Sequence, residues 1–194
     1  KTSGRGGKGQ TARAGNKLAG EWYHLLYNNV YGIRATALRL TNTYGPGMRV
    51  KDARQTFLGI WIRNVIQGKP VQVFGDGMQL RDFNFVDDVV DAILTAATSP
   101  ASEGRVFNLG STEIVNLKSL AEKLVALHGG GRFEVVPFPP ERKAIDIGDY
   151  YSDFSGITSV LGWTPRIGLD EGLRRTLAYF TEYERIGRDS NPPA

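Results

Sequence analysis

The sequence predicts an α/β fold, and three observations carry that expectation. Val71 and Val73 alternate with polar Gln72, the period-2 pattern of a half-buried strand. Gly75-Asp76-Gly77 then supplies turn chemistry before the apolar Phe83, Phe85 and Val86 begin a second strand and a helix. Finally, Arg34 to Leu40 alternates and then runs apolar directly after an amphipathic helix, as a buried parallel strand does.

Composition narrows the function classes. The 194 residues suffice for one domain with a real core, and the absence of cysteine excludes disulfides and thiolate metal sites while allowing an intracellular location. His24 and His128 are too few and too far apart to suggest a metal centre. No apolar run approaches the ~20 residues a membrane helix needs. The net charge of +4 is concentrated at Lys1, Arg5, Lys8, Arg13 and Lys17, with no acid before Glu21. The rest of the chain is close to neutral. A nucleic-acid surface should belong to the folded body, so the charge pattern argues against that class.

Residues 1–15 hold five glycines and no large apolar side chain, and are expected to be a disordered tail, a linker or a vector remnant. Gly4-Arg5-Gly6-Gly7-Lys8-Gly9 is not a dinucleotide fingerprint, because no strand precedes it and no apolar helix follows directly. A helix is expected from Asn16, with Asn16 as N-cap, Leu18, Trp22, Leu25, Leu26 and Val30 on one side and Gly32 as its stop. Met48 to Arg54 reads as a mobile polar loop. Thr56 to Gln67 reads as a helix with Phe57, Ile60, Trp61, Val65 and Ile66 inward.

Between the glycine turn and the next helix, Gln79, Arg81 and Asp82 crowd polar groups together, and Asp87 or Asp88 is expected to cap that helix. Val86 to Thr98 should bury Val89, Val90, Ile93, Leu94 and Ala97. Arg105 to Leu109 is a strand, Asn116 caps a helix over Leu117 to Leu127, and Phe133 to Val136 is an edge strand beside Pro137, Pro139 and Pro140. A short helix ends at Leu161-Gly162, and the last one places Leu173, Leu177 and Phe180 inward before the chain frays after Tyr183.

The run G-D-G-x-Q-x-R-D-F-x-x-V-D-D at Gly75–Asp88 resembles the substrate-domain signature of the extended short-chain dehydrogenases, the NAD-dependent sugar-nucleotide epimerases and dehydratases. Further matches follow in family order: Asn16-Lys17-Leu18-Ala19-Gly20-Glu21, Arg39 to Pro46, Asn108-Leu109-Gly110, Glu141 to Ile147 and Leu161-Gly162-Trp163-Thr164-Pro165. The likeness spans roughly Asn16 to Phe180. It implies the C-terminal portion of such an enzyme. Residues 16–48 would be a remnant helix and strand of the Rossmann-like parallel sheet, 49–183 a small mixed α/β substrate-binding region, and 184–194 a frayed end.

What the resemblance implies for the site follows residue by residue. Lys17 would be the lysine of a Tyr-x-x-x-Lys pair, holding the cofactor ribose and lowering the tyrosine pKa. Arg13 stands where the tyrosine should be, and arginine cannot act as a general base. Tyr23 is misplaced on the helix to substitute. Lys17 and Tyr44 fall on the cofactor side, and NAD is the implied cofactor. Asn42 would contact substrate near the diphosphate, Val73 and Phe74 would lie beside the nucleotide base, and Gln79 and Arg81 would face ribose or diphosphate. Arg142, preferred over Lys143 because a guanidinium binds phosphate bidentately, would reach a phosphate, and Asp146 would order that loop.

The implied activity is that of the sugar-nucleotide-binding part of an epimerase, acting by transient oxidation to a keto sugar. A 4,6-dehydratase, a decarboxylase-type relative and a non-catalytic binding or assembly fragment remain open alternatives. A nucleotide-diphosphate sugar, a homodimeric partner met through the Asn16 helix and a cytoplasmic setting complete the expectation.

Overall fold

The computed structural model describes residues 8–50, 57–144 and 146–185, without the side chains of residues 8–16 and 185. Two cores organise it. The larger is built from helices α2 (Phe57–Ile66), α4 (Leu117–His128) and α7 (Leu169–Arg185), which close over strands β3 (Val71–Phe74) and β4 (Leu80–Phe85). The smaller sits where α3 (Val86–Thr98) meets β5 (Val106–Asn108), α6 (Ser155–Leu161) and Trp163.

The strands form three small sheets. β1 (Ala37–Arg39) runs parallel to β5, and β3 runs parallel to β7 (Phe133–Val136). In the third, β2 (Asn42–Tyr44) is parallel to β4, which is antiparallel to β6 (Ile114–Asn116). The glycine turn at 75–77 therefore joins strands of different sheets and makes no hairpin. Along β4 the side chains alternate. Phe83 and Phe85 enter the larger core, while Asp82 and Asn84 face the 110–111 turn.

Several expected boundaries hold. Asn116 caps α4, its side chain accepting from the Ser119 amide at 2.7 Å, and Gly129 ends the helix in the left-handed conformation. Other expectations are corrected. Helix α1 (Lys8–Tyr31) begins at Lys8 and not at Asn16, because Thr11-Ala12-Arg13-Ala14 propagate a helix readily; Asn16 is interior and no cap. The disorder expected over 1–15 is not found at residues 8–15, which are helical; of the mobile loop expected over Met48 to Arg54, Val50 is buried in the larger core, and residues 1–7, 51–54 and those beyond 185 lie outside the described residues. The strand expected over 34–40 is the shorter β1, parallel to β5, and β2 follows it as a further short strand that pairs with β4 in a different sheet.

Neither Asp87 nor Asp88 caps α3: the N-cap is Phe85, and both acids lie in the first turn. Asp88 is buried and instead accepts from the Arg166 and Ile167 amides at 3.1 and 3.0 Å, while its carbonyl accepts from Trp163 Nε1. The inward side of α3 is Val89, Ala92 and Ala96; Val90, Ile93, Leu94 and Ala97 are exposed, because the neighbouring Phe107, Leu109 and Ile157 approach only the small-residue side.

The tightest approach in the larger core is at Gly172. A Cβ there would lie 2.9 Å from the Phe85 ring and would strike the Tyr44 hydroxyl. Gly172→Ala is expected to destabilise by about 1–3 kcal/mol through overpacking, read from urea unfolding with an unchanged slope.

Candidate functional site

Helix α1 is joined to the body chiefly by one fork. Arg39 at the end of β1 donates from Nε and Nη2 to the Glu21 carboxylate at 2.9 and 2.7 Å. That bond holds the Glu21 carboxyl below its usual range, against a smaller opposing effect of burial. Lys17 lies one turn earlier and is exposed. The Arg13 side chain lies outside the described residues. Tyr44 is 1% exposed, stacked edge-on against Phe83 and Phe85, and its hydroxyl donates to the Leu169 carbonyl. Burial, with Glu113, Asp88 and Asp170 nearby, pushes its pKa far up. It is a neutral core phenol with no open face toward a cofactor. The residues expected to hold NAD thus do not form a dinucleotide site together.

Of the remaining expected residues, Asn42, Gln79, Arg81 and Asp146 lie beside β4, while Arg142 meets Phe74 at the end of β3. Asn42 lies on β2 itself and not beyond a strand end, and its Nδ2 donates to the Asp82 carbonyl at 2.9 Å. Arg81 is only 7% exposed. Its Nη1 donates to the Gly148 carbonyl and, at 2.7 Å, to the Leu80 carbonyl; its Nη2 lies 3.8 Å from Asp146. Burial lowers the Arg81 pKa while Asp146, Asp149 and Asp82 raise it. Gln79 Nε2 reaches Asp146 at 3.5 Å, and its Oε1 is buried without a partner. Arg142, on the exposed turn α5 (Pro140–Lys143), lies over the Phe74 ring at 5.2 Å; Phe138 packs on that ring from 5.7 Å. The Asp146 amide donates to the Lys143 carbonyl, tying this turn to the Arg81 region. Val73, fully buried in the larger core, offers no side chain to a ligand.

Two guanidiniums, an amide and a half-buried aromatic ring are what a diphosphate with an attached base requires. A separate depression of about 510 Å³ lies between β1 and α3, lined by Arg34, Thr36, Leu38, Ile93 and Ser102. Its hydroxyls are already bonded to the chain, Thr36 to Ser102 and Ser102 to the Ala96 carbonyl, so it shows no convergent free polar groups. Among the described residues no His, Asp or Glu cluster could hold a metal, and no helix is long and apolar enough to cross a membrane.

Sequence reasoning noted Asp82 among the crowded polar groups but gave it no role; it is 0% exposed and accepts from the Ser111 and Ser152 amides. That reasoning missed Asp149, whose carboxylate accepts from the Leu80 amide at 2.8 Å. Both partners are main-chain groups far along the chain, and no residue pattern announces them.

Comparison with known proteins bears on these residues. The model of the NAD dependent epimerase/dehydratase family matches residues 12–110. The UDP-glucose 4-epimerase of Mycolicibacterium smegmatis is 32% identical over 170 residues, covering 86% of this chain and 52% of the relative. The UDP-glucuronate 4-epimerase of Thermodesulfobacterium geofontis is 29% identical, covering 87% and 50%. Among solved structures, the Thermotoga maritima UDP-glucose 4-epimerase with UDP-glucose superposes with a TM-score of 0.78 at 31% identity, covering 87% and 52%. The Streptomyces venezuelae dTDP-glucose 4,6-dehydratase does so at 0.74 and 22% identity, covering 89% and 52%, a likeness of fold alone. The chain spans about half the length of the curated relatives it matches.

The Glu21–Arg39 fork makes a pH-dependent contribution. Because Glu21 is held low when folded, its contribution is present above about 4.3, the free value, and is lost as pH falls through the lowered one. Carboxyl NMR titration should show Glu21 titrating below its free value, and Arg39→Ala should return it there.

Proposed function

The chain belongs to the NAD dependent epimerase/dehydratase family, and from that premise we propose that residues 49–183 are the nucleotide-sugar-binding region of an epimerase. In this reading residues 16–48 are the adjoining helix and strands of its Rossmann-like domain. The whole enzyme would take a UDP-sugar, oxidise it transiently to a ketone and reduce it back. The observation that carries the proposal is that Asn42, Gln79, Arg81 and Asp146 lie beside β4, with Asp146 bonded through Lys143 to the turn that sets Arg142 over Phe74.

The work this chain's own residues would do is binding. Arg142 is exposed and can meet a phosphate without first being desolvated, its guanidinium resting on Phe74. Arg81 is already held by two carbonyls and faces Asp146, so it would act as a fixed charge deeper in the cleft. Phe74, half-buried and packed against Phe138, offers a ring edge or face to a base. Gln79 Oε1, an acceptor without a donor, suits a ribose hydroxyl. NAD would supply the redox chemistry in the whole enzyme. Tyr44 is closed to it and Arg13 replaces the expected proton-transfer tyrosine, so no chemical step is assigned to these residues. The same reading gives the exposed side of α1, with Trp22, Tyr23, Leu26, Tyr27 and Val30, to a second copy of the chain.

The expected result in a thermal-shift assay is stabilisation of the 194-residue chain by UDP-glucose and none by NAD. Arg142→Ala should weaken UDP-glucose binding about tenfold, the loss of one charge-assisted contact. Stabilisation by NAD alone, or equal affinity in Arg142→Ala, refutes the assignment. The chain by itself should turn over no UDP-glucose; measurable epimerisation would show that a base other than the missing tyrosine operates.

A further inference from the structure

Residues 146–152 run alongside β4 as a strap, fastened at three successive β4 positions. Asp149 accepts from the Leu80 amide, and the Tyr150 amide donates to the Leu80 carbonyl at 2.9 Å. Arg81 donates to the Gly148 carbonyl and forms a parallel bridge with Tyr150. The third fastening differs in kind, because there a side chain takes the place of the ladder. Asp82 Oδ2 accepts from the Ser152 amide at 3.3 Å and, also at 3.3 Å, from the Ser111 amide of the turn after β5.

The two loops meet over this carboxylate with no spare room. A Cβ on Gly110 would lie 2.5 Å from the Ser152 carbonyl and 3.2 Å from Asp82 Oδ2. Asn84, on the same face of β4, donates to the Gly110 carbonyl at 2.6 Å and accepts from the Thr41 hydroxyl. The carbonyl of Asp82 receives Asn42. One residue thus touches β2, the 110–111 turn and the strap, and its neighbour in sequence is Arg81.

Stability alone does not account for a carboxyl at this place. It is fully buried, and its Oδ1 has no hydrogen-bond partner among the described residues. Burial raises its pKa against the pull of the Ser152 and Ser111 amides and the Thr41 hydroxyl. A buried acid with one unsatisfied oxygen is a cost, and an apolar side chain would avoid it. What the carboxylate supplies and an apolar group cannot is a fixed acceptor for two main-chain amides distant in sequence.

We propose that Asp82 is a positioning residue, which fastens the 146–152 strap and the 110–111 turn to β4 and thereby sets Arg142 and Asp146 against Arg81. The proposal rests on reading those residues as a diphosphate-binding cluster. The chain of contacts is continuous: Asp82 to Ser152, along the strap to Asp146, and from the Asp146 amide to the Lys143 carbonyl beside Arg142.

The test uses the 194-residue chain and its Asp82→Asn and Asp149→Ala variants, with amide hydrogen exchange and UDP titration by calorimetry. Asp149 is exposed, so its replacement does not endanger folding. Asp82→Asn is expected to speed exchange at Tyr150 and Ser152 at least tenfold, leave Val73 in the β3–β7 ladder unchanged and weaken UDP binding about tenfold. Asp149→Ala should give the same local pattern. Unchanged exchange at Tyr150 and Ser152 overturns the proposal, as does acceleration that extends equally to Val73. Local loosening with undiminished UDP affinity overturns the positioning role. If the unaltered chain binds no UDP, the cluster reading fails, while the exchange data decide the fastening by itself.

Discussion

The constraint on which the structure turns is the burial of a polar strand. β4 carries Arg81, Asp82 and Asn84 into the interior between Phe83 and Phe85. Polar groups removed from water must find partners inside, and isolated charges are the most costly. Between them these three draw in two loops and the link from β1 to β2: Arg81 and Asp82 take Gly148 and Ser152 of the 146–152 strap, Asp82 and Asn84 take Ser111 and Gly110 of one turn, and Asn84 also takes Thr41. The loops around the cleft stand where they do because β4 requires acceptors and donors there. The phenylalanines alternate with the polar residues, so the strand joins the core and the cleft in a single element.

Charge around Arg81 follows from the same arrangement. Asp82, Asp146 and Asp149 all act on its guanidinium, which is more local acid than one cation balances. Arg142 and Lys143, four and three residues ahead of Asp146 in sequence, are exposed, whereas Arg81 is buried. Screening weakens exposed charges more than buried ones. Salt therefore screens Arg142 more than it screens Arg81.

What was legible in the sequence follows physical locality. The limits of α3 and α4, the Asn116 cap and the inward Leu173, Leu177 and Phe180 depend on neighbours within a few residues, and a pattern expresses them. The gathering of Arg81, Asp146 and Arg142 was legible only through resemblance, since they come from different parts of the chain. The sheet partners of β3 and β4 were not legible, because a strand's own alternation does not say which edge it meets. Asp88 was misread for a related reason. A carboxylate at a helix start ordinarily serves that helix, yet here the first turn lies against Trp163–Ile167, and the amides of Arg166 and Ile167 are the nearer donors. Tyr44 shows the limit of motif reading, since its place in the motif says nothing of the Gly172 contact that seals it.

Apolar burial in the larger core is concentrated after residue 49, and Tyr44 of β2 joins the same cluster from before it. Val71, Val73, Ile62, Leu120, Leu124 and Leu173 are all fully buried in the larger cluster, and each such side chain contributes roughly 1.5–3 kcal/mol. Every one of them lies within residues 49–183. In contrast, α1 leaves Trp22, Tyr23, Leu26, Tyr27 and Val30 in solvent and is held by the Glu21–Arg39 fork. An exposed ion pair of that kind is worth less than one buried leucine. β1 adds a three-residue parallel ladder to β5, with no other strand beside it among the described residues. Among the described residues, none of the hydrogen bonds between β4 and the loops packed on it passes through α1, so loosening of the helix would leave that arrangement in place.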